Sequence, residues 1–135
     1  MNYYLDDILT YIKADSAFSD YTYFKNAYRP APKYLALLDR SSNGIEAQQD
    51  WTIRNFMVQL MNPNNGQATI DIEYLAKLLN NKSGHLATLG TPVSFRYVQC
   101  TVQPQRLETD DNRNGLWFAT FSTMYIDNTI STIYS

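Results

Sequence analysis

The stretch TDDNRNGLW (109–117) sets Asp110-x-Asn112-x-Asn114-Gly115. Oxygen-bearing side chains at alternate positions before a bend-forming glycine are what the first half of a helix–loop–helix calcium loop needs. Such a loop closes on a bidentate carboxylate at its twelfth position. Counted from Asp110 that position is Phe121, which has no oxygen to give, and strands rather than helices are expected on both sides. A second partial match, Asp39-x-Ser41-x-Asn43-Gly44, does place Asp50 at position 12. Its flanks again read as strands, and Glu46 stands at position 8, where paired loops need an apolar residue. Both are read as polar turns. Zinc fares worse, because one His and one Cys make no usual ligand set.

Catalytic constellations are equally thin. His85 is the single histidine, so any imidazole mechanism must pass through it. It lies in NKSGHLATLG beside Ser83, with no nucleophile elbow around it, and reads as a loop or helix-end histidine. Cys100 shares a strand parity with Val98 and Val102 and is expected to behave as a small core residue. The pairs Asp6/Asp7, Asp71/Glu73 and Asp110/Asp111 could act as acid and base, but no spacing fixes their separation. The glycines form neither a G-x-G nor a phosphate-cradling loop. Arg40, Arg54, Arg96, Arg106 and Arg113 are scattered. No cofactor is expected, and the chain is read as no enzyme.

Composition narrows the class further. A length of 135 residues suits one domain with a real core. A formal charge of −2 argues against a nucleic-acid-binding module, which needs a basic face to displace counterions. No apolar run approaches the roughly 20 residues of a membrane span. Asp6 and Asp7 stand where a signal peptide would carry positive charge, and one cysteine fits a reducing compartment. The 11 tyrosines suit subunit interfaces as well as cores, since each buries a ring while keeping a polar tip.

The elements that must position these residues follow from periodicity. Leu5, Ile8, Leu9 and Ile12 predict an amphipathic helix over about 2–14. Residues 15–32, aromatic and ending in Pro30 and Pro32, read as an irregular connection held by its rings. A short strand is expected at 33–39, and DRSSNG supplies a turn ending in Asn43-Gly44. The next strand, 50–61, is two-faced. Trp51, Ile53, Met57 and Met61 fall on one parity and Phe56, Val58 and Leu60 on the other, so one face meets the core and the second meets something else. NPNNGQ ends it. Ala68, Ile72, Leu75, Ala76 and Leu79 form a helical stripe that Lys82, Ser83 and Gly84 are expected to terminate. Strands at 92–103 and 115–127 make an antiparallel hairpin, and 128–135 is a tail. The expectation is one α+β domain over 1–135, with a sheet-and-helix body over 33–127. It has about four strands in two hairpins, antiparallel or mixed, with helices on one face.

The order of elements and several local signatures resemble the tail terminator (tail completion) family of long-tailed bacteriophages, small head–tail joining proteins of the minor capsid type. The resemblance covers about residues 2–127. Its carriers are the N-terminal helix with an aromatic, Pro-containing connection, KYLALLDR, and QQDWTIRNFMVQLM with an arginine inside an alternating run. The single helix ATIDIEYLAKLLNN follows, then a strand ending near Pro104, the acidic turn LETDDNRNG and the aromatic strand LWFATFSTMYI. It implies a structural virion protein of the tail or neck, assembled in the host cytoplasm. Such a protein forms a homohexameric ring that caps the tail tube, ends its elongation and docks to a head-completion or connector protein. Double-stranded DNA passes through the lumen without sequence-specific contact. The hairpin-end groups Asp39, Arg40, Asn43, Arg54, Glu108, Asp110, Asp111 and Arg113 are the candidate interface or lumen residues. Two alternatives stay open: another neck component such as a head-completion stopper, and a small monomeric ligand-binding module in which Trp51 or Trp117 stacks on ligand.

Overall fold

Leu5, Ile8 and Ile12 recur at helical spacing because each turn brings the next one back to the same side. In the computed structural model Tyr3–Lys13 forms α1, with those three side chains fully buried. The structure describes residues 3–26, 31–40, 46–48, 51–84, 86, 93–106 and 116–127. After a 3₁₀ turn at Ser16–Phe18 the strands are β1 (Thr22–Lys25), β2 (Tyr34–Asp39), β3 (Glu46–Gln48) and β4 (Trp51–Met61). Then come α2 (Asn65–Leu79), β5 (Lys82–Gly84), β6 (Val93–Arg106) and β7 (Leu116–Asp127). Asn64 starts α2 as an N-cap: its side chain accepts the Gln67 backbone N–H at 3.1 Å, which satisfies one otherwise unpaired donor.

All seven strands belong to one mixed sheet in the order β1-β2-β4-β7-β6-β5, with β3 beside the start of β4. β1–β2 is parallel and the other pairs are antiparallel. The two hairpins expected from the alternation, β2/β4 and β6/β7, are joined through β4 and β7. These run in unbroken register from Trp51↔Ile126 to Met61↔Leu116.

Both helices pack on one face. Tyr4, Leu5, Ile8 and Ile12 of α1 and Ala68, Ile72, Leu75, Ala76 and Leu79 of α2 share a core with Leu35, Leu37, Phe56, Val58, Leu60, Ala119 and Phe121. Strand neighbours alternate in direction, so Tyr34, Ala36, Met61 and Leu116 lie on the other face, where they form a second, smaller cluster.

The α+β class and helices on one face agree with the sequence reading, but three expectations need correction. Residues 15–32 are more than an irregular connection, since Thr22–Lys25 is an edge strand in register with β2 from Thr22↔Tyr34. Four residues are too few to show alternation, and a parallel partner leaves no hairpin turn in the sequence to announce it. Lys82–Gly84 does not end the helix. Asn80 and Asn81 do so, Asn81 with a left-handed φ of 63° and its N–H donated to Val98 O at 2.7 Å, and the next residues pair with β6. Finally, β6 runs through Pro104 to Arg106. The register shifts between Val102 and Gln105 there, and such a bulge on an outer strand tolerates a residue with no N–H. The tally of about four strands was short by β1, β3 and β5, each of 3 or 4 residues.

Candidate functional site

Asp39 and Arg54 are brought together, and they are not loop tips. They end β2 and lie within β4 on the parity of Leu37 and Phe56, so both point toward the helix layer. Arg54 Nη1 stands 3.5 Å from Asp39 Oδ2, with the side chains only 21% and 17% exposed. The Asp39 backbone N–H donates to Asn26 Oδ1 at 3.0 Å. Tyr4 stacks on Tyr125 (5.2 Å, 10°) and points its hydroxyl at Asn55 O. Burial, and then the Asp39 carboxylate, push that phenol far above its ordinary range, so it stays protonated. Arg40 is exposed and donates its backbone N–H to Asn55 O at 2.8 Å. Asn43, Glu108, Asp110, Asp111 and Arg113 lie outside the described residues, as do both partial calcium turns beyond Arg40 and His85.

A second polar cluster was not anticipated. Asp71 sits on the buried side of α2, 5% exposed. It accepts from the Tyr21 hydroxyl at 2.5 Å and from Gln67 Nε2 at 2.8 Å, while Asn62 Nδ2 donates to the Tyr21 oxygen at 3.1 Å. Burial, followed by the bond to Asp71, raises the Tyr21 phenol. The network ties the aromatic segment to the start of α2. Its only trace in the sequence is a carboxylate one residue before Ile72 in an otherwise apolar stripe.

Cys100 is partly buried and packs against the main core, as its parity suggested. It also lines an open groove of about 560 Å³ between α2 and β6, with Glu73, Ala76, Lys77, Asn80, Gln103 and Pro104. Burial pushes its thiol upward, and Sγ donates to Val102 O at 3.3 Å, so the sulfur is a weak nucleophile at neutral pH. Trp117 packs partly buried against the core with its indole nitrogen enclosed, which leaves little ring for stacking on a ligand. Among the described residues, no group of three His, Cys, Asp or Glu could hold a metal ion, and no helix is long and apolar enough to cross a membrane.

The helix-free face of the sheet is closed at one end, where Tyr34, Ala36, Gln59 and Leu116 are buried, and only partly covered over the rest. By register it presents Tyr34, Ala36 and Leu38 of β2, alternate residues from Ile53 to Met61 of β4, and alternate residues from Leu116 to Ile126 of β7. None of these is charged. Every methionine after the first lies here, Met57, Met61 and Met124, beside partly exposed Leu38, Ile53, Phe118 and Ile126. No described helix packs on it. The sequence matches no family model and no curated protein. The two-faced reading of residues 50–61 therefore rests on geometry, and the geometry supports it: Phe56, Val58 and Leu60 are fully buried, while Ile53, Met57 and Met61 keep solvent contact.

On the opposite side of the molecule, α2 carries the large apolar side chains most open to water among the described residues, Ile70 at 61% and Tyr74 at 41%. They are one helical turn apart. Tyr74 is held in place, stacked on Phe18 at 5.9 Å with its hydroxyl donated to Asp15 Oδ2 at 2.6 Å. That bond, followed by the Ala17 backbone N–H, lowers the Asp15 pKa below the usual carboxylate value. A depressed folded pKa gives stability that is present above the unfolded value and lost as pH falls through the folded one. Urea midpoints measured from about pH 6 down to about pH 2 should therefore fall less steeply in Asp15→Asn than in the unaltered chain, with Tyr74→Phe intermediate. Parallel curves would mean the bond does not form in solution.

Proposed function

We propose that this chain is a structural subunit of a tailed-phage virion, a ring-forming tail terminator that caps the tail tube and joins it to the head. The observation that carries this reading is the uncharged, methionine-bearing sheet face with no described helix on it, in a domain whose other face is closed by two helices. Methionine and aromatic side chains with few charges are what the centre of a protein–protein interface contains. The element order that resembles the terminator family, helix, hairpin, helix, hairpin, persists in the fold with three short strands added. A mildly acidic subunit also suits a lumen through which DNA slides without being gripped.

The test is polymerisation of the cognate tail tube protein with and without this chain. Capped tubes of limited length, with a ring of density at one end in electron micrographs, are the expected result. Tubes that elongate unchecked, with the chain remaining in the supernatant, would remove the terminator reading. Binding to an isolated head connector in place of the tube would favour the neighbouring head-completion role.

A further inference from the structure

Residues 3–26 form a segment that packs on the body formed by β2–β7 and α2. Leu5, Ile8, Ile12 and Phe18 are fully buried in the main core, and Tyr4 and Tyr21 nearly so. Polar bonds fasten the same segment. The Tyr21 hydroxyl donates to Asp71 at 2.5 Å, the Tyr74 hydroxyl donates to Asp15 at 2.6 Å, and Lys33 Nζ stands 2.5 Å from Asp20 Oδ2. At its end β1 lies in parallel register on the edge of β2.

The connection from this segment to the body is short for what it has to do. Because β1 and β2 run parallel, the chain must leave Asn26, beside Leu37, and come back to Lys33, beside Thr22. That return covers roughly 17 Å, and residues 27–32 fully extended bridge at most about 24 Å. Two reversals of direction have to fit into the slack, where parallel strands ordinarily have about a dozen residues or more. Asn26 begins the first with a φ of 62°, in the left-handed region that most residues avoid. Pro30 and Pro32 fall in the same stretch, and each biases the residue before it toward extended backbone. A straight run suits this connection better than a return.

We propose that residues 3–26 exchange between copies, so that the segment of one chain packs on the body of the next. The fit of that occupant is given by the arrangement within one chain, because every contact re-forms unchanged between two identical chains. β1 of the neighbour takes the same register on β2, and Asn26 still accepts the Asp39 N–H and donates its own to Leu37 O. Only the connection changes, running straight from one body to the next, and short hinge loops under strain favour such an exchange. Each copy gives one segment and accepts one. That contact is heterologous, and it closes as a reciprocal pair or as a ring of more copies.

The inference deepens the ring reading by naming a contact, and it rests on that reading for the contact's role alone. An equal mixture of light and isotopically heavy chain, refolded together from urea at high concentration, tests it. Carbodiimide then couples each ammonium to a touching carboxylate without a spacer, and mass spectrometry weighs the joined peptides. The Lys33–Asp20 pair crosses from body to segment. In an exchanged assembly about half of its links join a light and a heavy chain, and in the closed form none do. The Lys25–Asp6 pair lies wholly within the segment, stays inside one chain in either form and sets the background. Inserting Gly-Ser-Gly-Ser between Ala31 and Pro32 gives the return its missing length and should lower the mixed fraction about tenfold or more. The count on the unaltered chain does not depend on how that variant folds.

Assembled material whose Lys33–Asp20 links are all of one isotope overturns the proposal. So does a chain that stays monomeric at every concentration, or a folded insertion variant with the mixed fraction unchanged. Tube capping by a variant that no longer exchanges would remove this contact and leave the terminator reading intact. Exchange without capping would do the reverse.

Discussion

Phe121→Ala is expected to cost about 3–5 kcal/mol, the range for emptying a buried phenylalanine site. Phe121 is fully buried in the middle of β7, and its ring lies on Phe56 of the neighbouring strand at 5.2 Å and 14°. Phe56 in turn meets the edge of Tyr4 from α1 at 6.3 Å, so the ring connects the central strands to the helix layer. Its loss removes transfer energy and leaves a void that main-chain pairing on both sides cannot collapse, because Phe121 is registered with Phe56 and with Cys100. Against a total stability of about 5–15 kcal/mol for a typical domain, that loss is large. Urea unfolding should show a lower midpoint with an unchanged slope. Phe118→Ala, on the helix-free face and partly exposed, is the control and should cost clearly less. Equal losses at the two positions would contradict the assignment of faces.

Asp71→Leu is the second large effect, at about 2–3 kcal/mol. The leucine matches the apolar stripe of α2, so a reading based on hydrophobic pattern alone would forecast stabilisation. The structure reverses that sign. The Tyr21 hydroxyl and the Gln67 amide both donate to this carboxylate; Gln67 is exposed and can turn to water, but the buried Tyr21 hydroxyl is left without its acceptor. Tyr21→Phe alone should cost less, about 1–2 kcal/mol, because Asp71 retains Gln67. On the Asp71→Leu background, Tyr21→Phe should cost less than it does alone, because only the bond from Asn62 remains to be lost, and that non-additivity is the signature of a shared network. Purely additive losses would show that the two groups are independent in solution.

These two positions illustrate where the sequence was legible. Phe56, which stacks on Phe121, could be separated from Met57 and Met61 by counting alternation, and α1 and α2 could be placed by their stripes, because burial of one face imposes a period on the local sequence. The two-faced character of residues 50–61 was visible for the same reason. Asp71 in the same kind of stripe looked like surface charge or half of a carboxylate pair. Its partners, Tyr21 and Asn62, are remote in sequence, in a segment with no period of its own. Asp39 and Arg54 read as hairpin-end groups, and no local signal shows that the β2–β4 register makes them diagonal neighbours on the helix face.

What the sequence determined by itself was the set of long elements, the α+β class and the presence of an apolar face beyond what one core requires. Those properties depend on neighbours within a few residues, where the geometry of a helix or strand is fixed by the backbone. Only the tertiary structure decided the sheet order, the short strands at Thr22–Lys25 and Lys82–Gly84, the buried Asp71 network, and the placement of Ile70 and Tyr74 opposite the methionine face. Each of these depends on contacts between segments distant along the chain, and no local period records which distant segment will arrive.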